Sequence, residues 1–166
     1  MRKKPIFLKI SPDLQHVDLA TIVDSCVEAG VSGIIATNTT ISRPTGLNGV
    51  HAGEAGGLSG GPLFAASTGI LAKVASLSQN RLGLIGVGGV SKGWQAYAKI
   101  LVGADMLQLY TGLALEGPCL PNRILHELSH MLDADGVNRI DEIKGQIVDT
   151  AAAIKHATDL YSRLSK

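Results

Sequence analysis

Hydrophobic positions along this chain follow two alternating patterns: short, nearly unbroken apolar runs, and longer stretches whose apolar residues recur three or four apart. The run Ile6–Ile10 reads as a strand and stops at Ser11-Pro12-Asp13, a turn and helix-start signal. In residues 17–30 the apolar positions Leu19, Ile22, Val23, Cys26 and Val27 take helical spacing, and Gly30 supplies a C-terminal stop. The same pair of patterns then repeats three times: strand 33–38 with helix 62–78, strand 82–88 with helix 91–103, and strand 106–112 with helix 119–136. Continuous apolar strands alternating with amphipathic helices imply a parallel sheet covered by helices through right-handed crossovers. Four such βα units make either a small open α/β sheet or half of a barrel, and periodicity does not choose between them. The tail reads as helical in two pieces, 139–146 and 149–166.

Length and charge narrow the picture. At 166 residues the chain suits one domain, yet it is short of the roughly 250 residues of a complete (β/α)8 barrel. With 45% hydrophobic residues a real core is affordable and disorder is excluded. A net charge of +1 removes any bulk electrostatic case for nucleic acid or an anionic membrane, so an anion site must be local. Cys26 and Cys119 lack the C-x-x-C spacing of a zinc or redox pair and are expected as buried small side chains in a reduced, intracellular compartment. The N-terminal MRKKPIFLKI has too few apolar positions for a signal-peptide core or a membrane span.

In parallel α/β folds ligands bind at the C-terminal ends of the strands, and the residues closing these strands are unusual. Lys9 closes the first, Thr37, Asn38, Thr39 and Thr40 the second, Gly86, Gly88 and Gly89 the third, and Tyr110, Thr111 and Gly112 the fourth. The loop after the second strand carries seven glycines across residues 41–64 and is far longer than an ordinary βα loop, which points to function. Its end, GGLSGGP, places Ser59, Gly60 and Gly61 before Pro62, a favoured first helical residue, so that backbone N–H groups can face an anion. Together GGLSGG, GVGGVS and LYTG make three backbone-rich turns, and a phosphorylated ligand is expected between them. Lys9, inside an apolar run, is either a rim lysine snorkelling to solvent or a site lysine that holds cofactor charge or forms a Schiff base.

FLKISPDL, IIATNTTISRP, GGLSGGPL, LIGVGGVSKG and GADMLQLYTGL, in this order, resemble the membrane-associated, quinone-using class of dihydroorotate dehydrogenases, over about Pro5 to Gly145. The resemblance implies the fold class: α/β, the C-terminal half, four βα units, of a (β/α)8 TIM barrel. Residues 1–145 would form that half and 146–166 a C-terminal helical extension. It implies FMN as cofactor, oxidation of dihydroorotate to orotate in pyrimidine biosynthesis, and quinone as electron acceptor. Carried over position by position, it sets Lys9 and Thr37 against the flavin, with Lys9 stabilising reduced, anionic flavin, and gives orotate to Asn38 and Thr39. Gly60, Gly89, Tyr110 and Thr111 match FMN-binding positions, with Ser59 and Gly88 sharing the phosphate.

The family's catalytic base, a serine in the quinone-using class, lies in the first half of the barrel, and no residue here matches its motif. The helices that form the quinone tunnel and membrane contact likewise have no counterpart. The expectation is a fragment, inactive alone, that self-associates or pairs with an N-terminal half-barrel. Complete members are peripheral on the inner (cytoplasmic or mitochondrial) membrane.

Two alternatives stand beside this: a half-barrel that binds a phosphorylated ligand without catalysis, and a lyase that forms a Schiff base on Lys9. A third signal, His126-Glu127-Leu128-Ser129-His130, spells the H-E-x-x-H zinc motif. At about 100° per residue both histidines fall opposite the apolar face formed by Ile124, Leu125, Leu128, Met131 and Leu132, so an exposed surface is expected and no metal.

Overall fold

The computed structural model describes residues 4–164. Four strands, β1 (Phe7–Ile10), β2 (Gly33–Ala36), β3 (Gly83–Val87) and β4 (Met106–Gln108), form one parallel sheet in the order β1-β2-β3-β4. The register aligns Lys9 with Ile35, Ile35 with Ile85, and Ile85 with Met106. Gly33 is fixed by this pairing: a Cβ there would stand 2.2 Å from the Gly83 carbonyl oxygen and 2.6 Å from the Phe7 ring, so any side chain would force the first three strands apart. Pairing continues past the ends of the strands, with the Asn38 amide donating to the Ile10 carbonyl at 2.7 Å and the Thr37 amide to that of Val87 at 3.1 Å.

Each strand is returned by a helix: α1 (His16–Glu28) after β1, α2 (Phe64–Ser78) after β2 and α3 (Gly93–Leu101) after β3. After β4 come the short α4 (Thr111–Glu116) and then α5 (Leu120–Ala134). The core lies between sheet and helices, where Leu19, Val23, Ile34, Leu71, Val74 and Leu101 are all nearly inaccessible. The expected four βα units and their parallel order are thus present.

Some details differ from expectation. β4 ends at Gln108, and Tyr110 and Thr111 belong to the entry of α4, because Gly112 and the residues after it coil instead of extending. The tail piece 139–146 contains only a 3-10 turn at Ile140–Glu142. Leu125 is 61% exposed, since it lies about 100° from Ile124, off the stripe of Leu120, Ile124, Leu128 and Met131 that α5 buries. Cys26 is buried as expected, but Cys119 is exposed in the turn before α5.

The last helix, α6 (Thr150–Leu164), packs mainly on α3 and also on α5 and α2. Its buried Ala153 and Ala157 permit close approach, and Leu160 fills the end of the contact. The connecting segment is stitched to the end of α3 by the Gly145 and Ile147 amides, which donate to the carbonyls of Ile100 and Leu101, each at 3.1 Å. A polar clamp crosses the same contact. The fully buried Tyr97 of α3 donates its hydroxyl to Asp135 at the end of α5, and His156 of α6 meets the same carboxylate at 3.2 Å. Burial pushes the Asp135 carboxyl up, but its bonds to Tyr97 and His156 outweigh this and hold it below its ordinary value.

Asp135→Ala should therefore cost about 1–3 kcal/mol, because the buried Tyr97 hydroxyl loses its acceptor. Its contribution is present above the unfolded carboxyl value, near pH ~3.9, and is lost as pH falls through the lower folded value. Denaturant unfolding, with hydrogen exchange read on α6 amides, checks both.

Candidate functional site

Parallel strands returned by helices all finish on one rim, and here that rim surrounds a cavity of about 400 Å³, within the range of small-molecule sites. The ten residues that the resemblance assigns to cofactor and substrate all border it: Lys9, Thr37, Asn38, Thr39, Ser59, Gly60, Gly88, Gly89, Tyr110 and Thr111; of the other strand-closing and turn residues, Gly61 and Gly112 do and Thr40 and Gly86 do not.

Three turns meet on one side. The first is Gly60-Gly61 with Pro62, a 3-10 turn that runs directly into α2. The second is Gly88-Gly89 at the end of β3, and the third is Thr111-Gly112 at the start of α4. The spacing between them is tight. A Cβ on Gly89, whose φ is +73°, would lie 2.5 Å from Phe64 Cβ and 2.7 Å from the Phe64 nitrogen, so only glycine lets the start of α2 rest on this turn. A Cβ on Gly112 would lie 2.7 Å from the Val90 carbonyl oxygen, which brings the third turn equally close to the second. Thr111 Oγ1 donates to Ser59 Oγ at 3.0 Å and ties the third turn to the first. Backbone at this density, with few side chains in the way, forms a cradle that a branched residue would fill.

The end of β2 adds a polar arm to the cavity. Thr37 is buried, follows a cis Ala36–Thr37 peptide, and donates its hydroxyl to the Asn38 carbonyl at 2.8 Å. Asn38 is exposed to the cavity and accepts the Thr39 amide on Oδ1 at 2.9 Å, which leaves its carboxamide N–H groups for a ligand. Lys9, on the edge strand β1, is exposed beside them. Tyr110 is 84% exposed, so its ring is free to meet a ligand or another surface.

The long loop is held at its base. Thr40 and Leu58 exchange backbone hydrogen bonds at 3.1 and 2.7 Å, and Arg43 donates to the carbonyls of Glu54 at 2.7 Å and Gly56 at 2.8 Å. Asp13 receives the Thr40 hydroxyl and the Ile41 amide, the latter at 3.0 Å. The Thr40 bond first, then the Ile41 amide and the Ser11 and Ser42 hydroxyls, hold the Asp13 carboxyl below its ordinary value against the effect of its partial burial.

The dihydroorotate dehydrogenase family model matches residues 1–132. The chain belongs to the dihydroorotate dehydrogenase family. Among curated relatives, the dihydroorotate dehydrogenase (quinone) of Cereibacter sphaeroides is 49% identical over 144 residues, which cover 87% of this chain and 40% of that protein. That of Rhodospirillum rubrum is 44% identical over 143 residues, covering 86% and 39%. Among solved structures, ligand-free dihydroorotate dehydrogenase of Eimeria tenella superposes with a TM-score of 0.84 at 35% identity, over 87% of this chain and 40% of that one. The same enzyme in complex with ferulenol gives 0.81 at 36% identity, over 84% and 37%. The chain thus spans about 40% of the length of these relatives.

Sequence reasoning missed one residue beside the site. Lys99 of α3 is fully buried, with Nζ donating to Ser67 Oγ at 2.9 Å and Thr68 Oγ1 at 3.1 Å and lying 5.3 Å from the Phe64 ring centroid. Burial without a paired carboxylate pushes its ammonium down to about 7. The signal was available: Lys99 sits inside Ala96–Val102, apolar on every side of the helix, where no rotation exposes it. The H-E-x-x-H histidines are exposed on α5, with ring centroids 4.3 Å apart. Among the described residues no group of three or more His, Cys, Asp or Glu is placed to hold a metal ion.

Two outcomes are expected. Replacing His126 and His130 together by Ala should shift the melting midpoint by less than ~0.5 kcal/mol equivalent, since neither side chain supports the core. A metal bound stoichiometrically and lost in that variant would contradict this. Lys99 has a folded value below its unfolded one, so from about pH 7 upward to about pH 10 the unfolded chain binds the extra proton and stability rises with pH. Lys99→Met should flatten that rise, as measured by urea midpoints across the window.

Proposed function

We propose that this chain supplies the flavin-phosphate and orotate-facing side of an FMN-dependent enzyme that oxidises dihydroorotate to orotate and passes the electrons to quinone. The observation that carries the reading is the joining, in one cavity, of a three-turn backbone cradle with the Thr37-Asn38-Thr39 arm and Lys9. The cradle suits a phosphate: Gly60, Gly88, Gly89 and Thr111 come together where a side chain at Gly89 would collide with α2, and Ser59 adds a hydroxyl. Lys9 and Thr37 face the flavin ring in this assignment, Tyr110 closes its phosphate end, and Asn38 and Thr39 hydrogen-bond orotate. When bound, FMN supplies the hydride acceptor. The chain's own residues anchor it, orient the substrate and place a cation beside it.

The catalytic base is assigned to the part of the relatives that this chain does not span, and the quinone and inner-membrane contacts go with it. No helix among the described residues is long and apolar enough to cross a membrane. Residues 1–145 are assigned to the barrel half and 146–166 to a C-terminal extension. The Schiff-base alternative needs a desolvated amine, and Lys9 is exposed.

Two measurements test the reading. In the complete protein, Asn38→Ala should weaken orotate by about tenfold or more while leaving FMN within about twofold, the loss expected of one or two ligand hydrogen bonds. Equal loss of both would remove Asn38 from the substrate site.

The isolated chain with excess FMN should turn over no dihydroorotate, because general-base assistance of about 10² to 10⁴-fold and the positioning that accompanies it are missing. It should also self-associate. β1 and β4 are open sheet edges, and Ile6, Leu8, Met106, Leu113 and Leu115 are exposed on or near them. Sedimentation showing a monomer, together with turnover in a dye-coupled assay, would sink the half-barrel assignment.

A further inference from the structure

We propose that Lys99 is a positioning residue for the anion-binding turn: from behind, through Ser67, it fixes the peptide that presents the Gly89 amide to a ligand phosphate. This rests on the flavin-phosphate reading above. Lys99 does not border the cavity, and neither does Ser67. Ser67, on α2, meets the Gly88 carbonyl, and Lys99, on α3, reaches Ser67 past Gly86 of β3 and Leu107 of β4.

The hydrogen bonds accommodate an arrangement in which Ser67 serves Gly88. Ser67 Oγ has a single proton and two carbonyl oxygens within 3.0 Å, those of Phe64 and Gly88. Thr68 Oγ1 donates to the Phe64 carbonyl at 2.7 Å, so that oxygen is already served and the Ser67 proton is available to Gly88. A charged lysine has donors only, and Nζ takes up lone pairs on both hydroxyls, which turns their protons away toward the carbonyls. The Gly88–Gly89 peptide is trans, so its C=O and N–H point in opposite directions. With the carbonyl held by Ser67, the Gly89 amide is directed to the side that Gly88, Gly89 and Val90 line.

The chain Lys99–Ser67–Gly88 carbonyl is polarised in one sense, from a buried cation outward, and that polarity strengthens the amide as a donor to an anion. Lys99 is also the one charged side chain among the described residues that is wholly buried, so its field toward the turn is little screened. Facing it are the Ser67 and Thr68 hydroxyls, the Phe64 ring and Leu71 of α2, with Gly86 of β3 and Leu107 of β4. Asp105, before β4, is occupied by Lys144 and the Leu84 amide. Among the described residues, none of the other side chains named in this contact is titratable. A neutral residue would fill the same space, so the cost of burying an amine here calls for a role, and the phosphate turn supplies one.

The test uses this chain, titrated with FMN and with riboflavin, which differ by the phosphate, and followed by flavin fluorescence quenching. Lys99→Met and Ser67→Ala should each weaken FMN by about tenfold, the size of one charge-assisted hydrogen bond, and leave riboflavin unchanged. In the wild type the preference for FMN over riboflavin should fall between about pH 7 and about pH 9 as the buried ammonium loses its proton, and in Lys99→Met it should stay level. If circular dichroism shows Lys99→Met unfolded, Ser67→Ala decides alone.

Variants that keep the wild-type preference, or that lose both flavins equally, overturn the proposal and leave Lys99 a packing residue. A wild-type chain that binds both flavins alike, or neither, overturns the flavin-phosphate reading first, and this inference with it.

Discussion

The candidate site depends on one close approach, that of the start of α2 to the Gly88-Gly89 turn. Phe64 rests where a Cβ of residue 89 would otherwise be, and this contact sets where Pro62 and the Gly60-Gly61 turn must lie. It also brings Ser67 within reach of both the Gly88 carbonyl and Lys99. Glycine, hydroxyl and buried amine are therefore one package. A larger residue at 89 would push α2 outward and open the cradle, although the sheet itself would be unaffected.

Around that contact the parallel sheet supplies the frame. Helical returns force all four strands to finish together, so residues far apart in sequence, Lys9 and Tyr110 among them, border the same cavity. The helices cover one face, and the other face carries the row Lys9, Ile35, Ile85 and Met106, whose outer members are exposed. The relatives are more than twice as long as this chain, which covers about 40% of them, in keeping with a sheet whose two edges are open here.

The strands and main helices were legible because unbroken apolar runs and three-to-four spacing are set by burial, which this fold follows closely. Eight of the ten candidate residues were legible because positions that follow the strands of a parallel sheet gather in one place, and Ser59 and Gly60 because a glycine-rich turn before Pro62 leads into a helix. Other features follow forces that pattern does not record. Tyr110 and Thr111 left the strand because α4 begins there, a short helix with no buried residue to leave a period. Cys119 is exposed by its position in a turn, where a small side chain needs no core. Lys99 escaped notice because a lysine in a helix is ordinarily solvated, although the all-round apolar stretch Ala96–Val102 marked its burial, and the packing of α2 against α3 closes it in.

The base of the long loop has a consequence of another kind. The Thr40–Leu58 bridge, the Arg43 clasp and the Asp13 anchor close the segment on itself before it reaches the sheet. Between Thr45 and His51 the side chains are exposed apart from the half-buried Leu47, and the clasp lies between them and the strand ends. Loop-closure entropy grows only slowly with length, so residues can be inserted or removed at this tip at little thermodynamic cost. The tip is accordingly the tolerant part of the loop: residues 45–51 can diverge, and a tag or reporter can be grafted there, while Ser59 and Gly60 at the loop's end keep their places on the cavity.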